Sequence, residues 1–381
     1  MRVAILAHST NPRGGVVHAL ELGDALVRLG HAAIVHAPDA KGGGFFRSTL
    51  CGAALVPAFP VEANVATLVE TRVAEYLSYF EDPANRRFDV FHAQDGISGN
   101  ALATLKERGL IRGFARTVHH IDDFRDERVA ALQARSIVAA DQLFVVSRTW
   151  REILGKRFGR SATIVGNGVD GARFCPAPDG REEALRARLG LGQGPIFLSI
   201  GGIEERKNTL RILEAFREVR RVQPAAQLLI AGGASLLDHS AYQRQFAATL
   251  AGMALPTGAV IVTGPLPHAD MPALYRLASA LVFPSIREGF GLTVIEAMAC
   301  GVPVVASRIA PFTEYLGDDD VVWCDPFSVA TIVDAMLIVS TQAPRSRLAR
   351  RGPLVAARHD WGATAAAHLP IYVKLGEPVD A

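Results

Sequence analysis

The chain has 381 residues, of which 49% are hydrophobic, and its 40 basic and 38 acidic side chains leave a formal charge of +2. This length and apolar content can fill two or three cores and exclude a disordered chain, while near-neutrality excludes a nucleic-acid partner held mainly by phosphate electrostatics. Four scattered cysteines, Cys51, Cys175, Cys300 and Cys324, show no Cys-x-x-Cys or paired-histidine spacing, which argues against a zinc site or disulfide frame and fits a reduced cytoplasm.

Residues 1–8 are apolar too briefly for a signal peptide and read as a buried first strand over 3–7. A loop at 11–15, a helix over 16–29 ended by Gly30 and a strand at 32–36 complete one βαβ unit. Gly42-Gly43-Gly44-Phe45-Phe46 is a loop tip, suited to closing over an acceptor or to plain surface packing. Strands follow at 88–92, 115–119 and 142–147. Parallel sheets bind ligands beyond the carboxyl ends of their strands, which puts His8, His92, Asp95, His119 and Ser147 in a crevice. Residues 164–170, and then a stretch broken by Pro176 and Pro178, mark a link between domains. Beyond it, strands at 196–200, 227–231, 260–263, 280–283, 303–306 and 321–324 alternate with helices, and a last helix runs from Trp361 to about Leu375. The expected class is α/β, with two doubly wound Rossmann-like sheets in domains 1–167 and 168–357 and a terminal helix in 358–381. No apolar run approaches the ~20 residues that cross a bilayer, so a cytoplasmic protein is expected.

The densest chemistry lies between Pro284 and Gly301. Glu288 and Glu296 flank Gly289, Phe290, Gly291 and Leu292, whose amides open a helix. Unpaired N–H groups and the helix dipole favour a diphosphate there. A carboxylate accepts two hydrogen bonds from a vicinal diol, and eight helical residues span about 12 Å, the scale of a sugar diphosphonucleoside. Glu288 is therefore assigned to a hexose and Glu296 to a ribose.

The same pattern, Glu-x7-Glu embedded in Glu-Gly-Phe-Gly-Leu, continues upstream through 267–278 and downstream through 299–305. Over nearly the whole C-terminal half it resembles the family-four glycosyltransferases, retaining enzymes of the GT-B fold. The resemblance implies two Rossmann-like domains facing across a cleft, a nucleotide-diphosphate sugar as donor, and a final helix that crosses back to the first domain. It also implies retention of configuration by front-face attack, in which the acceptor hydroxyl gives its proton to the leaving phosphate. The basic pair Arg206 and Lys207, after Gly201-Gly202, is placed on the donor phosphates; the bland alternative is two solvated charges at a helix start. In Thr117-Val118-His119-His120, His119 matches a strand-end histidine that approaches the sugar near the reacting carbon. Gly15, in the turn entering the first helix, offers backbone N–H groups to phosphate or acceptor, and His92 and Asp95 are assigned to the acceptor side. Asn167 and Asp170 match an Asn-Gly-Val-Asp hinge. The Gly-x-Gly-x-x-Gly at 166–171 is not a dinucleotide motif, because Pro176 and Pro178 forbid the helix it needs.

Asp318-Asp319-Asp320 mimics a metal-binding Asp-x-Asp but follows Leu316-Gly317 and reads as a solvated turn. No metal and no cofactor beyond the sugar-nucleotide co-substrate are expected. The acceptor is left open among sugar, glycan, lipid and small molecule. Arg345, Arg347, Arg350, Arg351 and Arg358 form a basic region that leaves peripheral contact with the inner membrane face open, although a solvated helix face is favoured. The main alternative is a sugar-nucleotide epimerase of the same shape, with an NAD-dependent oxidoreductase and a non-catalytic sugar-binding module behind it.

Overall fold

The computed structural model describes residues 1–61, 64–233 and 239–377. It divides into two compact units, one of Met1–Gly168 with the chain from Asp360 onward, the other Val169–His359.

In the first unit, β1 (Arg2–Leu6), α1 (Gly14–Arg28), β2 (Ala32–Asp39), β3 (Gly52–Pro57), α2 (Val65–Glu81), β4 (Val90–Ala93), α3 (Gly96–Glu107), β5 (Ala115–Val118), α4 (Glu127–Val138), β6 (Gln142–Val145), α5 (Arg148–Phe158) and β7 (Thr163–Ile164) follow in order. The sheet is parallel throughout, in the order β3-β2-β1-β4-β5-β6-β7. Strand order therefore reverses between β1 and β4, and the residues just past their carboxyl ends stand where such sheets receive ligands.

The second unit runs α6 (Glu182–Leu189), β8 (Ile196–Ile200), α7 (Thr209–Val222), β9 (Gln227–Ala231), α8 (Ser240–Gly252), β10 (Val260–Gly264), α9 (Met271–Leu277), β11 (Ala280–Phe283), α10 (Leu292–Ala299), β12 (Val304–Ser307), α11 (Phe312–Tyr315), β13 (Val322–Cys324), α12 (Val329–Ser340) and α13 (Gln342–Ala356). Its parallel sheet has the order β10-β9-β8-β11-β12-β13. Alternation along these strands feeds two cores. Leu198, Leu229, Leu281 and Val304 face one helix layer, and Phe197, Leu228, Val282 and Val305 face the other. Burying each such Leu, Val or Phe contributes about 1.5–3 kcal/mol, so near-continuous apolar strands are what a two-faced sheet requires. Gly352 lets α13 press on α10, where a β-carbon would meet the Met298 carbonyl at 2.7 Å.

The last helix, α14 (Trp361–Gly376), belongs to the first unit; the Asp360 carboxylate caps it by accepting from Ala363 N. It seats His368 and Tyr372 beside Phe144 of β6. Among the described residues no helix is long and apolar enough to cross a membrane. In the basic region, Arg347 pairs with Asp319 and Arg351 with Asp320, which neutralises part of its charge.

Four local expectations change. Helix α1 starts at Gly14, so Gly15 lies in its first turn. Strand β4 runs over Val90–Ala93 where 88–92 was expected, which moves His92 inside the sheet. Strands β3 and β7 were not anticipated. The first is a largely exposed edge strand without clean alternation, and the second is two residues long and ends at Ile164, where the link was expected to begin.

Candidate active site

In the second unit, three elements bring charge together. The segment after β8 carries Gly201 at φ 123°, and a β-carbon there would lie 2.5 Å from the Lys207 side chain. Glycine thus makes room for the lysine stem. A single turn at 205–207 then presents Arg206 and Lys207. Arg206 Nη1 and Lys207 Nζ both donate to Oε1 of Glu288, each at 2.7 Å, and Lys207 Nζ lies 4.3 Å from the centre of the Phe283 ring. Arg206 also stands 3.7 Å from the buried Glu204 carboxylate.

Burial alone would push the Glu288 carboxyl up, but the Arg206 and Lys207 charges outweigh it and hold it down at about 2. Burial brings Lys207 down to about 8 against the pull of Glu288. At neutral pH Glu288 is an anion held between two cations. The structure thus places Glu288, expected on the hexose, against the two cations expected on the phosphates.

The glycine loop leads straight into α10. Gly291 sits at φ 97° as the residue before the helix, and a β-carbon there would meet Phe312 Cε1 at 2.5 Å. Phe290 stacks on Tyr315 at 4.7 Å, nearly parallel, and the Tyr315 hydroxyl donates to the Phe290 carbonyl at 2.9 Å. The amide run Gly289–Leu292 is therefore held at the head of α10, where the helix dipole adds positive potential. One and a half turns on, Glu296 Oε2 accepts from the Tyr275 hydroxyl at 2.6 Å, and burial pushes its carboxyl up. Tyr275 lies within the stretch that carried the family resemblance, yet no side chain opposite Glu296 could be named from sequence.

In the first unit, His119 directly follows β5. Its Nε2 donates to Gln94 Oε1 at 3.0 Å, and a β-carbon on Gly15 would lie 3.5 Å from its ring. His119 thus meets the first turn of α1. Burial and the neighbouring His18, His120, Arg116 and His8 hold it well below the usual histidine range, so it is neutral at pH 7. His18 stands edge-on to it at 4.9 Å and bonds Asn167 Oδ1 through Nδ1 at 2.7 Å.

His92, expected on the acceptor side, lies within β4. It is fully buried, with Nδ1 on the Tyr372 hydroxyl at 2.6 Å and Nε2 on Thr117 Oγ1 at 2.8 Å. Position 92 is still paired within the sheet, and Gln94, two residues on and past the strand end, reaches His119 in its place. Asp95 spends one carboxylate oxygen on the α3 capping box with Ser98, and the other lies 3.6 Å from His8. Ser147, expected in the crevice, caps α5. Asp170 closes its own turn by accepting from Ala172 N. The Asp318 carboxylate accepts from Trp323 and Arg308, and Asp320 accepts from Gly317 N, so the triplet braces the entry to β13.

Residues 12–173 match the model described as Glycosyltransferase Family 4, and residues 181–353 match Glycosyl transferases group 1. The chain belongs to the group 1 glycosyltransferases, with the GT-B fold. It is 35% identical over 181 residues to a GDP-mannose-dependent alpha-(1-6)-phosphatidylinositol monomannoside mannosyltransferase of Mycolicibacterium smegmatis, a match that spans 44% of this chain and 44% of that relative's length. Sucrose-phosphate synthase from Thermosynechococcus elongatus shares its fold, with a TM-score of 0.81, 22% identity and 98% of each chain covered. So does Anabaena HepE, solved in complex with UDP-glucose, with a TM-score of 0.77, 16% identity and coverage of 98% of this chain and 100% of that one. Both family models describe glycosyl transferases, and the epimerase alternative is not favoured.

Proposed function

We propose that this protein moves a hexosyl group from a nucleotide-diphosphate sugar to an acceptor hydroxyl, with retention of anomeric configuration and without a catalytic metal. The observation that carries the reading is the convergence of Arg206 and Lys207 on one oxygen of Glu288, directly before the amide run that opens α10. A departing nucleoside diphosphate gains negative charge as the glycosidic bond breaks, and preorganised cations and N–H groups stabilise it without reorganising. The two side chains and the α10 amides supply that positive potential from the chain itself.

Glu288 keeps both cations charged and aimed while the site is empty, and a bound diphosphate then shares them. Glu296 holds the ribose, with Tyr275 fixing one carboxylate oxygen. His119, neutral, serves the sugar. In front-face attack the acceptor oxygen forms its bond to the anomeric carbon on the side the leaving oxygen vacates, and the hydroxyl proton passes to the leaving phosphate. Similarity to a GDP-mannose-dependent enzyme and to a protein solved with UDP-glucose supports a nucleotide-sugar donor.

The donor is found by thermal protection with UDP-, GDP- and ADP-sugars, since ligand binding raises apparent stability. Proton NMR of the first product in chelator-treated enzyme then tests the rest. An anomer of the donor's configuration at undiminished rate is expected; the opposite anomer overturns retention, and activity that returns only with a divalent ion overturns metal independence. Glu296→Ala is expected to weaken nucleoside diphosphate affinity about tenfold or more, the scale of a lost charged hydrogen-bond pair. An unchanged dissociation constant by calorimetry would remove the ribose role.

A further inference from the structure

Asn208 follows the two cations and holds a backbone conformation few residues accept. Its φ is 61° and ψ 32°, in the left-handed region that Asn tolerates and Gly occupies freely. It ends the turn that carries Arg206 and Lys207, donating its N–H to Glu205 O at 2.9 Å, and it begins α7, where its carbonyl accepts from Ile212 N. Glycine would meet those backbone demands at no cost, so the side chain has its own work.

That side chain is 1% exposed. Its Nδ2 donates to the carbonyls of Pro284 at 3.0 Å and Pro326 at 2.6 Å, and its Oδ1 accepts from Arg211 Nη1 at 3.0 Å. A parallel bond runs from Ile286 N to the Arg206 carbonyl at 2.9 Å. The cation turn is thus laced to the segment that starts at Pro284 and reaches Glu288 four residues later. Without the lacing, the two long cationic side chains would rest on a turn free to drift from its partner loop, and preorganisation would be lost.

We propose that Asn208 is a positioning residue for the donor diphosphate: by tying the Arg206–Lys207 turn to the Pro284 and Pro326 carbonyls, it keeps both cations aimed at one point before donor arrives. The proposal rests on the reading that these cations bind the diphosphate.

The test uses whichever of UDP and GDP protects the wild-type chain better against heat, paired with its nucleoside, in calorimetric titrations of wild type, Asn208→Gly and Lys207→Met. Asn208→Gly keeps the φ of 61° available, and it should weaken the nucleoside diphosphate about tenfold or more while leaving the nucleoside unchanged. Equal losses for nucleoside and diphosphate indicate a general structural role and overturn the proposal. If Lys207→Met weakens the diphosphate and Asn208→Gly does not, positioning fails while the cation reading stands. If neither variant weakens it, the cation reading fails and the proposal falls with it. Should Asn208→Gly melt below the titration temperature, Asn208→Ala, which is neutral and lacks both N–H donors, is read by the same criteria.

Discussion

Lys207→Met is expected to lower kcat/KM for the donor by about two to three orders of magnitude, the range found when one preorganised stabiliser of developing negative charge is removed. Lys207 carries more of this effect than Arg206 because it is buried, whereas about a third of the Arg206 side chain is exposed and screened by solvent. Methionine keeps the stem that fills the space beside Gly201 and removes only the charge. Glu288 is not stranded, since Arg206 remains 2.7 Å from the same oxygen, and the variant should therefore fold. Because burial brings the Lys207 ammonium to about 8, wild-type diphosphate affinity should also decline as pH rises through that value. Steady-state kinetics with a matched thermal melt checks both expectations. A folded Lys207→Met enzyme within threefold of wild type would remove Lys207 from the chemistry.

Lowering the pH from 7 to 5 should destabilise the first unit well before its carboxylates are protonated. His18, His92, His119 and His368 form a buried chain of rings, with centroids 4.9 Å apart for His18 and His119, 6.1 Å for His18 and His368, and 5.4 Å for His92 and His368. Their surroundings are Asn167, Gln94, Thr117, Phe144, Trp361 and Tyr372, and each proton placed there also repels its neighbours. Burial lowers His18 to about 4 and His368 to about 3. His36, boxed by Tyr79, Phe80 and Phe88, is likewise lowered by burial to about 4.

A depressed histidine binds its proton more tightly in the unfolded chain. Its stabilisation is therefore complete above the unfolded value of 6.5 and is lost as pH falls toward the folded value. Between pH 7 and 5 this amounts to about 2 kcal/mol for each of the three. Glu288, held at about 2, loses its own contribution progressively as pH falls from its ordinary value of 4.5 toward 2, so little of that loss falls between pH 7 and 5. Urea unfolding followed by tryptophan fluorescence reads the loss, since Trp361 stands 5.4 Å from His18. His368→Phe should flatten the dependence. Equal stability at pH 7 and 5 in the wild-type chain would contradict the buried-histidine account.

Much of the second unit could be read in advance because its determinants are local. The six apolar runs became β8 to β13 with shifts of a residue or so, since a strand covered on both faces needs little beyond consecutive Val, Ile, Leu and Phe. The head of α10 was equally legible: Gly291 must take φ 97° a few residues from the side chains it serves. Strand ends were less so. Reading β4 as ending at 92 put His92 in the ligand crevice, and that one-residue error left Gln94, whose amide reaches His119, out of consideration.

What the chain determines by itself are the periodicities that make two parallel α/β sheets, the glycines that permit left-handed turns, and the order of anion-binding parts along 284–301. Tertiary structure decided which of these side chains meet. Lys207 and Glu288 are 81 residues apart in sequence, as are Tyr275 and Glu296 by 21 and His92 and Tyr372 by 280. Such pairs are created when sheet order sets β8 beside β11 and α14 returns over the first sheet. Residue type and spacing along a chain carry no distance across it, so burial, counter-ions and protonation could be assigned only after the strands had found their neighbours.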